Sequence, residues 1–123
     1  MSFRKKTVRD IDVKGKRVLV RVDFNVSLDA NGHITSDYRI KKSLPTIAYL
    51  LGEKAKIILC SHLGRPEGKV DKRYSLRPCA ERLSELLDKP VAFVGDCVGV
   101  EVEKAIEDLG PGSILMLENV RFH

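Results

Sequence analysis

Arginine, histidine, aspartate and asparagine recur in this sequence directly after short apolar runs. Asp23 and Asn25 follow Val18-Leu19-Val20-Arg21-Val22, and Arg39 comes soon after. Ser61, His62, Gly64 and Arg65 follow Ile57-Ile58-Leu59-Cys60. Glu118, Asn119, Arg121 and His123 follow Ile114-Leu115-Met116-Leu117. The fork of an arginine matches phosphate and carboxylate geometry and stays charged when water is removed. Aspartate and asparagine beside it bind a hydroxyl and hold a guanidinium in place. The set suits a small polyanion that carries at least one hydroxyl.

Each residue also has a plainer role open to it. Arg39 alone reads as a solvated helix residue. His62 alone reads as a satisfied loop histidine. Arg21 and Asp23 share a strand face and can simply pair with each other. Arg121 can be a tail charge. Arg4-Lys5-Lys6 and Lys41-Lys42 read as solvated surface. Coincidence favours function: Arg39, Arg65, Arg121 and His62 come from separate segments, yet all follow strands.

Those strands alternate with helices. Lys16 to Phe24 places Val18, Val20, Val22 and Phe24 on one face and Leu19, Arg21 and Asp23 on the other, a β pattern. Asp29-Ala30-Asn31-Gly32 reads as a turn. Ile40, Leu44, Ile47, Ala48 and Leu51 recur at helical spacing within 36–52, with Ser36 or Asp37 as the cap, Gly52 as the stop and a kink at Pro45. Lys56 to Ser61 is a short, continuously apolar strand. A helix opens at Ser75 with Pro78 in its first turn, then a strand covers 91–94. Asp96 caps a third helix carrying Val98, Val102, Ala105, Ile106 and Leu109, and a fourth strand covers 113–117. The order β-α-β-α-β-α-β predicts a three-layer α/β/α fold with a parallel, Rossmann-like sheet, covered by helices on both faces. In such sheets ligands bind beyond the carboxyl ends of the strands, where the polar residues above fall. The last strand has no helix after it, as at the front of a larger, incomplete domain.

Composition bounds the possibilities. The chain has 123 residues, one domain or part of one; 43% are hydrophobic and 32% charged, which excludes a disordered chain. No apolar run reaches the ~18 residues of a membrane span. The basic N-terminus enters no apolar stretch, so no secretory signal is expected. Cys60, Cys79 and Cys97 are widely spaced and odd in number, which speaks against disulfides and zinc and suits the cytoplasm. A net charge of +5 points to an anionic partner without choosing among nucleic acid, phosphometabolite and acidic protein. There is no G-x-G-x-x-G, H-E-x-x-H or G-x-S-x-G motif and no acidic cluster spaced for a metal. Gly64 to Val70 fails as a phosphate loop because its glycines are one residue too close and no Ser or Thr follows the lysine. Aromatic residues at 6%, with no tryptophan, disfavour base stacking on nucleic acid.

Val18-Leu19-Val20-Arg21-Val22-Asp23-Phe24-Asn25-Val26 resembles the N-terminal signature of phosphoglycerate kinases. Further matches follow in order: Asp37-Tyr38-Arg39-Ile40 with Leu44-Pro45-Thr46-Ile47, Cys60-Ser61-His62-Leu63-Gly64-Arg65-Pro66, Tyr74-Ser75-Leu76-Arg77-Pro78, and Leu117-Glu118-Asn119-Val120-Arg121-Phe122. Where the signature normally closes in proline, Ser27 stands here.

The resemblance implies a domain that binds 3-phosphoglycerate or 1,3-bisphosphoglycerate. Asp23 and Asn25 would contact its hydroxyl and carboxyl end, and His62, Arg65 and Arg121 its phosphate. Arg39 would be the catalytic residue, facing the carboxyl group and the phosphoryl in flight. The backbone turns at Asp23, Phe24 and Asn25 and at His62, Leu63, Gly64 and Arg65 would line the same pocket. The family's parallel sheet runs in the order 3-4-2-1-5-6, and the strands read above would be the first four. Magnesium-ATP or ADP would be bound by a second, C-terminal domain that is absent here, as are one further substrate-binding arginine and the last strands of this domain. The intact enzyme would be a cytoplasmic monomer with no nucleic-acid or membrane partner. The 123 residues alone would be inactive, marginally stable and prone to self-associate through the open edge of the first strand. A standalone basic α/β module, binding phosphorylated metabolites or nucleic acid without catalysis, is the alternative.

Overall fold

Val18 and Val20 turn inward and Arg17, Leu19 and Arg21 outward, and this period-two pattern makes β1, Arg17–Arg21, a strand. The computed structural model describes residues 12–31, 33–63, 75–96 and 99–119. After β1 come α1 (Tyr38–Gly52), β2 (Lys56–Cys60), α2 (Arg77–Leu87), β3 (Ala92–Val94), α3 (Val100–Glu107) and β4 (Ile114–Leu117). All strand pairs are parallel, and the sheet order is β1-β2-β4-β3. Read from the other edge, this is the expected 3-4-2-1.

Alternation along the central strands builds the three layers. Ile57, Leu59, Ile114 and Met116 face Ile40, Ile47, Leu50, Leu76, Cys79 and Leu83 of α1 and α2 and the turn before α2. Ile58, Leu115 and Leu117 face Val102 of α3 and Leu109 beyond it. Because both faces of β2 and β4 are covered, their apolar runs are nearly continuous. At β1 the cover is one-sided. Leu19 pairs in register with Ile58 and so stands on the α3 face, but it remains 66% exposed.

The helix ends depart from the sequence reading. Asp37 sits at the N-cap of α1 but makes no side-chain cap bond. Its Oδ2 instead accepts a 2.8 Å hydrogen bond from Arg82 Nε, and its Oδ1 lies 3.4 Å from Lys41 Nζ. Helix α2 begins at Arg77, not Ser75; the Ser75 hydroxyl accepts the Arg77 N–H at 3.2 Å and donates to Glu118 at 2.7 Å. Gly99, at φ 108°, takes the N-cap of α3. The Asp96 carbonyl accepts the Glu118 N–H at 3.0 Å, beside the β3–β4 pairing. Val98 and Cys97 lie outside the described residues. Gly52 ends α1, but the left-handed turn after it falls on Lys54, at φ 61°. Helix α1 runs through Pro45, which lies on the exposed side, where water can serve the carbonyl that proline leaves without a donor. Of the turn read at 29–32, Gly32 lies outside the described residues; Asp29 Oδ1 accepts the N–H groups of Asn31 and His33 at 2.8 and 2.9 Å.

Candidate functional site

Parallel register brings the carboxyl ends of β1, β2 and β4 to one edge, so the residues just past them are neighbours. Arg21 pairs with Cys60, and Leu59 with Met116. Past the last pair, the Val22 N–H reaches the Cys60 carbonyl at 3.0 Å. The Phe24 N–H then donates to Ser61 Oγ at 2.9 Å, knitting the first loop to the second. The Asn25 N–H folds back on Asp23 Oδ1 at 3.2 Å, and the Val26 N–H on the Phe24 carbonyl at 2.7 Å. This tight turn presents Asp23 to solvent while the Phe24 side chain is fully buried.

Arg39 enters from the first turn of α1. Its Nη1 lies 2.8 and 2.7 Å from the two Asp23 oxygens. Among the described residues no ion pair joins Asp23 to Arg21; Arg39 takes that place. Asp23 engages a single guanidinium nitrogen of Arg39, which leaves the donors on the other two nitrogens to meet an anion. The Arg39 hydrogen bond holds the Asp23 carboxyl below its ordinary value of 3.8, with lesser help from the Asn25 N–H and from His62 nearby. The sign follows from linkage. A carboxyl depressed on folding contributes stability that is present above its unfolded value and lost as the pH falls through the folded one. An NMR titration of the Asp23 carboxyl is therefore expected to show a midpoint below 3.8, and Arg39→Ala to move it back up. A midpoint indifferent to Arg39→Ala counts against the pairing.

The structure thus brings Asp23, Arg39 and His62 together, with Asn25 in the next turn. Leu63 is buried. Gly64, Arg65 and Arg121 lie outside the described residues, as does His123. Three polar residues read as rim groups are buried instead, Ser61 among them. Glu118 is 7% exposed and Asn119 fully enclosed, and both are engaged with protein partners. The side chains of Glu118 and Asn119 belong to the scaffold because the chain ahead of α2 and the Leu63 carbonyl engage them.

Sequence reading missed a hollow of about 390 Å³ on the β1 side of the Asp23–Arg39 pair. Arg21, Lys42, Ser43 and Thr46 line it together with that pair, and it does not reach Asn25 or His62. Residues 39, 42, 43 and 46 share one helical face, and that spacing was the available signal. Lys42 is exposed, as read, and its Nζ sits 5.4 Å from the centre of the Tyr38 ring. Among the described residues no group of three or more His, Cys, Asp or Glu side chains could hold a metal ion.

Comparison with known proteins fits this geometry. The family model described as phosphoglycerate kinase matches residues 8–123. The phosphoglycerate kinase of Pelotomaculum thermopropionicum is 60% identical over 119 residues, 97% of this chain and 30% of the relative. That of Aquifex aeolicus is 57% identical over 121 residues, 98% of this chain and 30% of the relative. The crystal structure of phosphoglycerate kinase from Pyrococcus horikoshii superposes with a TM-score of 0.86 at 37% identity, covering 94% of this chain and 28% of that one. The structure of the Coxiella burnetii enzyme gives 0.80 at 40% identity, with the same coverage. The chain therefore spans about a third or less of the length of these relatives. Matched along nearly its whole length in sequence and in fold, it belongs to the phosphoglycerate kinase family.

Proposed function

We propose that this chain supplies the phosphoglycerate-binding part of a phosphoglycerate kinase. The whole enzyme moves a phosphoryl group reversibly between ATP and the carboxylate of 3-phosphoglycerate, giving 1,3-bisphosphoglycerate and ADP, in glycolysis and gluconeogenesis. The observation that carries the reading is the Arg39 guanidinium clamped on Asp23 at the carboxyl ends of β1 and β2, with His62 beside them.

A carboxylate oxygen of 3-phosphoglycerate attacks the γ-phosphorus. The bond from that phosphorus to the bridging oxygen breaks, and its electron pair leaves with ADP. No proton need move. The difficulty is charge, because an anionic nucleophile approaches an anionic phosphoryl group. A fixed cation that does not titrate offsets that repulsion throughout the transfer. Arg39 fits the role, with Asp23 anchoring its guanidinium through Nη1. Asp23 and Asn25 offer acceptors and donors to the substrate hydroxyl and carboxyl end. His62, with Arg65 and Arg121, takes the phosphate. The backbone around Phe24, Leu63 and Gly64 lines the pocket. By the family resemblance, magnesium-ATP is assigned to a part of the enzyme outside this chain. Free thiols at Cys60 and Cys79 support a cytoplasmic setting, and no helix among the described residues is long and apolar enough to cross a membrane.

In the full-length protein, 3-phosphoglycerate is expected to shift the NMR signals of Arg39 and His62 saturably. An oligonucleotide should give only weak, salt-sensitive changes. Saturable, sequence-selective binding of the oligonucleotide with no response to 3-phosphoglycerate overturns the reading. Turnover by the isolated 123 residues in a coupled assay overturns the assignment of the nucleotide to the remainder.

A further inference from the structure

We propose that Glu118 and Asn119 are positioning residues for the phosphoglycerate site, two consecutive side chains at the end of β4 that fix the His62 loop. The inference rests on the function proposed above.

Buried polar side chains are few in this fold and they gather in one place. Among the described residues, Ser61, Glu118 and Asn119 are the buried polar or charged ones. All three lie just past the carboxyl ends of the strands, where the candidate site is. Chain stability alone would be served as well or better by apolar side chains at such positions. A polar group that is buried and fully bonded fixes orientation, which an apolar contact does not.

The bonds lead to the candidate site. Asn119 Nδ2 donates to the Leu63 carbonyl at 2.7 Å. Leu63 directly follows His62. On the other side of His62, Ser61 Oγ accepts the Phe24 N–H at 2.9 Å and donates to the His62 carbonyl at 3.3 Å. The backbone carrying the His62 ring is therefore held before and after, and one of those ties also holds the Asp23–Asn25 turn. Glu118 sets the base from which Asn119 reaches. Its Oε1 accepts the N–H groups of Asn119 and Leu76, each at 2.8 Å, and its Oε2 accepts the Ser75 hydroxyl at 2.7 Å. These donors satisfy both carboxylate oxygens and lock the chain ahead of α2 to the same strand end. Displacing a binding group by a fraction of its contact distance weakens a site built for a small rigid anion.

The test is steady-state kinetics and NMR on the full-length protein. Asn119→Asp keeps the side-chain shape but turns the donor into an acceptor facing the Leu63 carbonyl. It is expected to raise KM for 3-phosphoglycerate about ten-fold or more, leave KM for ATP within about two-fold, and shift the His62 ring-proton signals without ligand. Glu118→Ala should act alike. Glu118→Gln, which keeps the oxygen serving Leu76 and Asn119, should recover most of the lost affinity. A folded Asn119→Asp protein with unchanged KM for 3-phosphoglycerate overturns the inference, as does an equal rise for both substrates. Asn119→Ser is the second variant; if neither Asn119 variant folds, the pair is structural only and the inference falls. Failure of the wild-type protein to bind 3-phosphoglycerate sinks the proposed function instead, and the ligand-free His62 signals still report whether Asn119 positions that loop.

Discussion

Arg39→Ala in the full-length protein is expected to lower kcat by about a thousand-fold, the scale on which a single positioned cation acts in phosphoryl transfer. The melting temperature should hardly move. Side chains of Arg39 and Asp23 are 47% and 62% exposed. An ion pair that wet contributes at most about 1 kcal/mol to folding. The two readings of Arg39 therefore separate cleanly. A solvated surface pair predicts small losses in both stability and rate. A charge-screening residue predicts a large loss in rate alone. A rate within a few-fold of wild type ends the catalytic assignment.

Asp23 complicates the experiment usefully. Removing Arg39 also releases Asp23, leaving an unpaired negative charge where an anionic substrate must bind. Part of the loss is then repulsion, and Asp23→Asn in the Arg39→Ala background should recover that part. Arg39→Lys is not an innocent substitution. It keeps the charge but replaces a guanidinium, whose Nη1 alone engages both Asp23 oxygens, with a single ammonium that must serve Asp23 and the substrate together. Partial activity in Arg39→Lys with recovery in the double variant points to charge. No activity in Arg39→Lys points to geometry.

Much of this arrangement is legible in the sequence because two independent regularities agree. Valines at 18 and 20 and the apolar runs at 57–60 and 114–117 set the strands, and the alternation with helices dictates parallel crossovers. Parallel strands put their carboxyl ends together, so Asp23 and His62 become neighbours without any knowledge of side-chain contacts. What stays hidden is which polar group a given polar residue chooses. Asp37 is a good cap by type, but Arg82, far along the chain, binds it more strongly than a backbone N–H would. Glu118 and Asn119 look like exposed rim groups because they follow an apolar strand. Only their bonds to Ser75, Leu76 and Leu63 show that they are enclosed. Gly52 looks like the left-handed stop, yet Lys54 takes that conformation. There the chain closes by backbone bonds from Lys54 and Ala55 to Leu51 and Leu50, which no residue type announces. Local pattern fixes elements; long-range competition for hydrogen-bond partners decides their ends.

Phe24→Ala carries the largest expected effect on stability. Phe24 lies between Asp23 and Asn25, yet its ring is fully enclosed in the larger core. Truncating a buried phenylalanine typically removes about 3–5 kcal/mol. That is a large part of the roughly 5–15 kcal/mol available to a whole domain. The midpoint of urea denaturation should fall accordingly, with Phe24→Leu lowering it far less. The consequence reaches function through geometry. Phe24 donates its N–H to Ser61 and receives the Val26 N–H and the Cys79 thiol on its carbonyl, at 2.7 and 3.7 Å. The ring anchors a turn whose two outer neighbours are the ones proposed to meet the ligand. In Phe24→Leu, where the fold survives, affinity for 3-phosphoglycerate should fall while the Asp23 carboxyl still titrates below 3.8, because Arg39 still holds it. Unchanged affinity in Phe24→Leu, together with an Ala variant as stable as the wild type, would mean that the backbone bonds alone shape the turn and that the ring is incidental to it.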